Sequence, residues 1–148
     1  ILGCSYKEAG VLRDLWYEQY PQARILHEDI RQEVEERGEV QLWFGRVRHL
    51  PHVFSSEEEI RASAIRQALN CPIQATGADV VALWAINVAR AFEKHKLRSV
   101  LILSIHDSLV VDVFPGELRI VQRIMKHGLS SIDIGVPFVT ELKYGDHL

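Results

Sequence analysis

Two apolar runs flanking residues 106 and 107 restrict this chain more than any other feature. Val100-Leu101-Ile102-Leu103-Ser104-Ile105 and Ser108-Leu109-Val110-Val111-Asp112-Val113 are each of strand length and rich in β-branched residues and leucine. Neither has the 3.6-residue spacing of an amphipathic helix. The shortest link between them is a tight turn through His106-Asp107, so the pair reads as the tip of a buried β-hairpin. That turn lacks the Asn-Gly or Gly-Gly chemistry of a purely architectural two-residue loop. His and Asp tolerate turns and face solvent without further purpose. The alternative is that a carboxylate is held at a rigid tip because it takes a metal there.

Helix signals dominate the first part of the chain. Ser5-Tyr6-Lys7-Glu8 has capping-box spacing, and Ala9, Leu12, Leu15 and Trp16 follow at helical intervals until Tyr20-Pro21. Pro21 can open a second helix, whose stripe of Ala23, Leu26, Ile30 and Val34 ends at Gly38. From Val40 to Pro51 the alternation is strand-like with a bend at Phe44-Gly45, which predicts a short hairpin carrying Arg46 and Arg48. Ser55 or Ser56 can cap a helix running to about Leu69, and Asn70-Cys71-Pro72 is expected to break it.

A long helix is expected from about Ile73 to Lys96, apolar on more than one face through Val80, Val81, Leu83, Trp84, Val88 and Phe92. Gly77 inside it costs about 1 kcal/mol relative to alanine, which points to close approach of backbone or of a ligand. After the His-Asp hairpin, Pro115-Gly116 leads into a helix from Glu117 to about His127, stopped by Gly128. Phe138 to Leu142 then alternates as a last strand. The fold class is α+β, an antiparallel sheet with helices packed on one face.

With 148 residues, 47% hydrophobic and 25% charged, the chain is one domain at most and can bury a core. No stretch is long or apolar enough to span a bilayer and no secretory leader opens the chain, so a soluble protein is expected. Cys4 and Cys71 stand far apart, outside any CxxC or disulfide framework, which fits a reducing cytoplasm. A net charge of −3 argues against a whole-surface nucleic-acid binder. It leaves room for a local basic track: Arg37, Arg46, Arg48, Arg61 and Arg66, with His49 and His52 among them, or merely a solvated face. The opening Ile1-Leu2, without methionine, reads as a piece of a larger protein.

Arg66, Asn70 and Gln74 recur every four residues, so they share one edge if the helices on either side of Pro72 are nearly continuous. Amides and an arginine suit the acceptors that every base pair offers in the minor groove, where readout varies little with sequence. A polar helix edge with ordinary capping at Asn70 is the plainer alternative.

At these residues the chain resembles family A DNA polymerases, the bacterial DNA polymerase I type and its phage relatives. Arg66-Gln67-Ala68-Leu69-Asn70-Cys71-Pro72-Ile73-Gln74-Ala75-Thr76-Gly77-Ala78-Asp79 is similar to their R-x-x-x-N-x-P-x-Q-G-T-A-A-D signature, and Ile105-His106-Asp107-Ser108-Leu109-Val110 resembles motif C, V-H-D-E-L-V. Gly45-Arg46-Val47-Arg48-His49-Leu50-Pro51 is similar to G-R-R-R-x-L-P, and Tyr17-Glu18-Gln19-Tyr20-Pro21 to F-x-x-Y-P. These motifs stand in family order and cover nearly the entire chain.

The resemblance implies the C-terminal part of a right-hand polymerase fold, with distal fingers helices and hairpin to about residue 70 and palm from about 71 to 148. It implies that Asp107 helps hold two Mg²⁺ ions, that His106 steadies the primer end, and that Arg66, Asn70 and Gln74 contact primer-template DNA, with Arg46 and Arg48 in the basic segment. Two hard cations about 3.5–4 Å apart activate the primer 3′-hydroxyl and neutralise the leaving pyrophosphate of a deoxynucleoside triphosphate, given rigid carboxylate oxygens.

Some positions depart from the family. Ser108 replaces the usual Glu, as in single-subunit phage RNA polymerases, and Gln74-Ala75-Thr76-Gly77 exchanges the Gly and Ala positions. Asp112 is no substitute, because strand alternation aims it away from Asp107. The family's other metal-binding aspartate and its triphosphate-gripping helix precede this segment. An N-terminal polymerase segment or subunit is therefore the expected partner, and the isolated chain is expected to be inactive. Surface left by the missing parts is expected to be apolar around Trp84 and the hairpin, favouring self-association or partner capture. The expected location is cytoplasmic, bacterial or that of a phage host.

Three other readings stay open. An HD-type phosphohydrolase is disfavoured by the β-rich flanks of His106-Asp107, and His49-x-x-His52 fits a loop pair better than a zinc site. A non-catalytic DNA-binding scaffold and a single-subunit RNA polymerase fragment are the others.

Overall fold

The computed structural model describes residue 3 and residues 5–145. Cys4 and the Ile1-Leu2 opening lie outside the described residues. The chain forms two compact units that divide between Ile73 and Gln74.

In the first unit, α1 (Tyr6–Gln19) starts at the expected capping box. Ser5 Oγ accepts the Glu8 N–H at 3.3 Å, and the Glu8 carboxylate accepts the Ser5 N–H at 2.8 Å. Those bonds hold the Glu8 carboxyl below its usual range. Next, α2 (Pro21–Arg37) ends where Gly38 adopts φ +70° and its N–H returns to Val34 O at 2.9 Å. Strands β1 (Glu39–Gln41) and β2 (Val47–His49) pair antiparallel, as the alternation predicts, with Val40 opposite Arg48. A short 3-10 helix (Pro51–Phe54) follows. The core joins Ile30 and Val34 of α2 to Val40, Leu50, Val53, Ala64, Ile65 and Ala68, so α2 contributes one short apolar stripe while α1 buries none of its residues.

Pro72 does not break the next helix. α3 (Glu58–Lys94) runs through it for 37 residues. Proline removes the bond to the carbonyl of Ala68 and costs about 3 kcal/mol in a helix interior. Burial outweighs that cost: Ala64, Ile65, Ala68 and Cys71 are buried before the division between units, and Val80, Trp84, Val88 and Phe92 after it.

In the second unit, β3 (Val100–Ile105) and β4 (Ser108–Asp112) form the expected antiparallel hairpin, with an irregular register between Leu101 and Leu103. The hairpin is not buried, contrary to the sequence reading. Val100, Ile102, Leu103 and Ile105 are exposed, because this sheet has two strands among the described residues and only one side meets the core. Trp84 is the opposite case. Expected at an exposed surface, it is 5% exposed and its indole N–H donates to Met125 O at 2.8 Å.

Gly128 does not stop the last helix either. α4 (Leu118–Ser130) continues through it, since a Cβ there would stand 3.2 Å from Val88 Cγ2 and 3.3 Å from Trp84 Cδ1. The glycine serves close packing of α4 on α3. Residues 138–142 form no strand: they lack a ladder partner among the described residues, and while Phe138 and Leu142 pack on the core of Val80, Trp84, Val88, Phe92, Val121, Ile124, Met125 and Leu129, Val139 stays exposed.

Candidate functional site

Strand pairing sets the geometry of the hairpin tip. Ile105 stands opposite Ser108, which leaves His106 and Asp107 as a two-residue loop. His106 adopts φ +52°, a region that few non-glycine residues occupy, although His is among those enriched there. Backbone strain of this kind collects at functional sites. Both side chains are exposed. Ser108 Oγ lies 3.3 Å from Asp107 Oδ1, so the serine donates to the carboxylate beside it. Asp112 pairs with Val100 at the far end of the hairpin and cannot assist Asp107.

The open end of the hairpin is fastened by residues that the motifs did not reveal. Ser99, a buried polar residue, donates its hydroxyl to Glu117 Oε2 at 2.6 Å and accepts the Phe114 N–H at 3.0 Å. Glu117 also accepts the N–H groups of Arg98 at 3.0 Å and Ser99 at 2.9 Å. The Ser99 hydroxyl above all, then the Arg98 N–H, lowers the Glu117 carboxyl below its ordinary range. Arg98 caps the assembly by lying 3.7 Å from the centre of the Phe114 ring. The visible signal was a serine directly before one apolar run and an acid just after Pro115-Gly116.

The arginine and amide row lies on α3. Arg66, Asn70 and Gln74 are all exposed, and continuity of the helix through Pro72 keeps their four-residue spacing on a single element. Arg66 and Asn70 belong to the first unit and Gln74 to the second. Arg48, on β2, donates to Gln67 Oε1 at 3.2 Å and to Cys71 Sγ at 3.8 Å, which ties the basic hairpin to α3. Cys71 is buried and unbridged. Arg46 precedes β2 and is exposed. Among the described residues no group of three or more His, Cys, Asp or Glu side chains could hold a metal. No helix among them is long and apolar enough to cross a membrane.

Helices and small antiparallel hairpins make this chain α+β, and the class of that fold is the polymerase domain, as a solved structure shows. Its fold matches that of the POL domain of Pol1 from M. smegmatis, solved in complex with DNA primer-template and dNTP, with a TM-score of 0.86 and 31% identity. The match covers 92% of this chain and 24% of that one. The chain belongs to DNA polymerase family A, whose family model matches residues 1–148. It is similar to the DNA polymerase I of Streptococcus pneumoniae, 30% identical over 145 residues, and to that of Caldicellulosiruptor bescii, 31% identical over 142. Those alignments cover 97% and 95% of this chain. The chain spans only 16% and 17% of the two relatives' lengths.

Proposed function

We propose that this chain is the C-terminal part of a cytoplasmic, template-directed DNA polymerase that adds deoxynucleotides to a primer 3′ end. In this reading residues to about 70 are distal fingers and those from about 71 are palm. The observation that carries it is the Asp107 carboxylate at the tip of the β3–β4 hairpin, beside a strained His106. Family membership and the neighbour's complex with primer-template and dNTP support it.

The donor set fits half of a metal site. Asp107 offers hard carboxylate oxygens at a tip fixed by strand pairing, which suits Mg²⁺, and since no group of three or more ligating side chains stands among the described residues, this reading takes the remaining carboxylate from another segment of the polymerase. Magnesium bound there would supply Lewis-acid activation of the primer hydroxyl and charge neutralisation at the phosphates. Ser108 donates to Asp107 and so restrains the carboxylate's rotation. The exposed His106 ring presents nitrogen donors or acceptors to the primer end. Arg66, Asn70 and Gln74 donate to the minor-groove acceptors of the duplex, checking its shape without reading its sequence. Arg46 and Arg48 neutralise phosphates. Although Arg48 is engaged with Gln67 and Cys71, its guanidinium carries five donors and retains its charge.

The test is Asp107→Asn in the complete polymerase. Primer extension should fall at least about a thousandfold, the scale of a lost metal contribution of several kcal/mol, while primer-template affinity stays within about threefold. Undiminished extension would remove Asp107 from the metal site and favour a non-catalytic scaffold. Ser108 gives one specific reason to consider RNA synthesis instead. Preference for ribonucleotides in the same assay would establish that reading.

A further inference from the structure

The tip of the β1–β2 hairpin is made of residues that a turn does not ask for. Leu42 anchors it: the side chain is buried, its N–H donates to Arg46 O at 2.7 Å and its carbonyl accepts the Gly45 N–H at 2.9 Å. Gly45 takes φ +84°, closing the turn in the left-handed region. Trp43 and Phe44 therefore occupy the two central positions, where Asn, Asp, Ser, Pro or Gly is usual. Trp43 is 67% exposed and Phe44 40%. Neither ring meets another ring or a cation among the described residues. Folding gains little from such an indole in water, so its use lies in what approaches it.

The charge beside it indicates what that is. Residues 41–48 include Arg46 and Arg48 and no carboxylate. Arg48 is held against α3 by its bonds to Gln67 and Cys71 and keeps its charge there. Flat aromatic faces next to fixed cations are the pattern that binds unpaired nucleotides, the rings stacking on bases and the cations neutralising phosphates. Duplex DNA keeps its base faces covered, whereas a single strand presents them.

We propose that Trp43, flanked by Phe44, is a stacking platform for an unpaired base of single-stranded DNA, with Arg46 and Arg48 holding the adjoining phosphates. The inference rests on the reading of this chain as part of a DNA polymerase and adds to it a contact outside the motif row of α3. The two backbone hydrogen bonds fix the main chain of the turn, so the ordering cost of binding is confined to the Trp43 side chain.

The experiment measures equilibrium affinity of the complete polymerase for two labelled DNAs of equal duplex sequence, one blunt and one with a single-stranded 5′ template extension. Trp43→Ala should weaken binding of the extended DNA roughly five- to a hundredfold, the range of one lost base stack, and leave blunt-duplex affinity within about twofold. Trp43→Phe should recover much of the loss, because a π face is restored. Extended-DNA affinity within about twofold of the parent in Trp43→Ala, or equal loss on both DNAs, overturns the proposal. Loss of a self-associated form without change in either affinity overturns it too, since the tip would then be a protein-binding surface. Arg66→Ala separates the two readings: it should weaken both DNAs. If it changes neither while Trp43→Ala selectively loses the extension, the duplex-contact reading fails and the stacking platform stands.

Discussion

Gly77 and Gly128 both sit inside helices, yet their surroundings dictate opposite responses to alanine. No atom lies within 4 Å of a Cβ built on Gly77. Gly77→Ala should therefore raise stability by about 0.5–1 kcal/mol, the intrinsic helix gain, read as a higher urea midpoint at constant slope. The described residues make no close approach there, which leaves a ligand or a further polymerase segment to account for this costly residue. If DNA lies against that face, the same variant binds primer-template more weakly although it is more stable, and unchanged affinity removes the ligand explanation. Gly128 has no such room. Val88 is fully buried and Trp84 is tied to Met125 O, so neither can retreat from a Cβ at 3.2–3.3 Å. Gly128→Ala should destabilise by roughly 1–2 kcal/mol net, overpacking exceeding the helix gain. A raised midpoint would show that the α3–α4 contact can relax.

At the level of elements, what could be read from the residues was whatever local chemistry decides. The Ser5–Glu8 box, Pro21 opening α2, Gly38 closing it and both hairpins follow from side chains within a few residues of the feature. Pro72, Gly128 and residues 138–142 misled the reading because distant partners decide them: burial carries α3 past its proline, Trp84 and Val88 make a helix stop into a packing notch, and alternation without a ladder partner gives no strand. Asp107 was legible because a turn isolates it between two strands. The Ser99–Glu117 fastening was not, since it joins residues 18 apart. That fastening makes the hairpin pH-sensitive. Hydrogen bonds lower the Glu117 carboxyl in the folded state relative to its ordinary 4.5, so its stabilisation is complete above that value and disappears as pH falls through the lower folded value. Comparing the parent with Glu117→Gln, the difference in unfolding midpoint should be constant near neutrality and shrink below pH 4.5. A difference that stays constant into acid would mean that the ionised carboxylate contributes nothing.

At the scale of the whole molecule, the chain carries two small cores and, in the function proposed above, one carboxylate of a metal site. Each unit has its own cluster of buried residues. Among the described residues no group of three or more His, Cys, Asp or Glu side chains could hold a metal, so in the proposed reading Asp107 needs ligands from another segment. Phosphoryl transfer with two cations needs carboxylate oxygens on both, and a single monodentate side chain leaves each ion mostly hydrated and free to leave. The exposed β3 side chains Val100, Ile102, Leu103 and Ile105 form an apolar strand surface, which is costly in water without cover. Residues 1–148 alone should therefore bind primer-template through the α3 row, with affinity falling steeply as salt rises, and yet incorporate no deoxynucleotide in a primer-extension assay with magnesium. Addition of the preceding fingers and palm segments should restore synthesis, and Asp107→Asn should abolish what is restored. Robust magnesium-dependent extension by the isolated chain would mean that these residues assemble a metal site without an outside carboxylate, and the assignment of Asp107 as one of a pair would have to be abandoned.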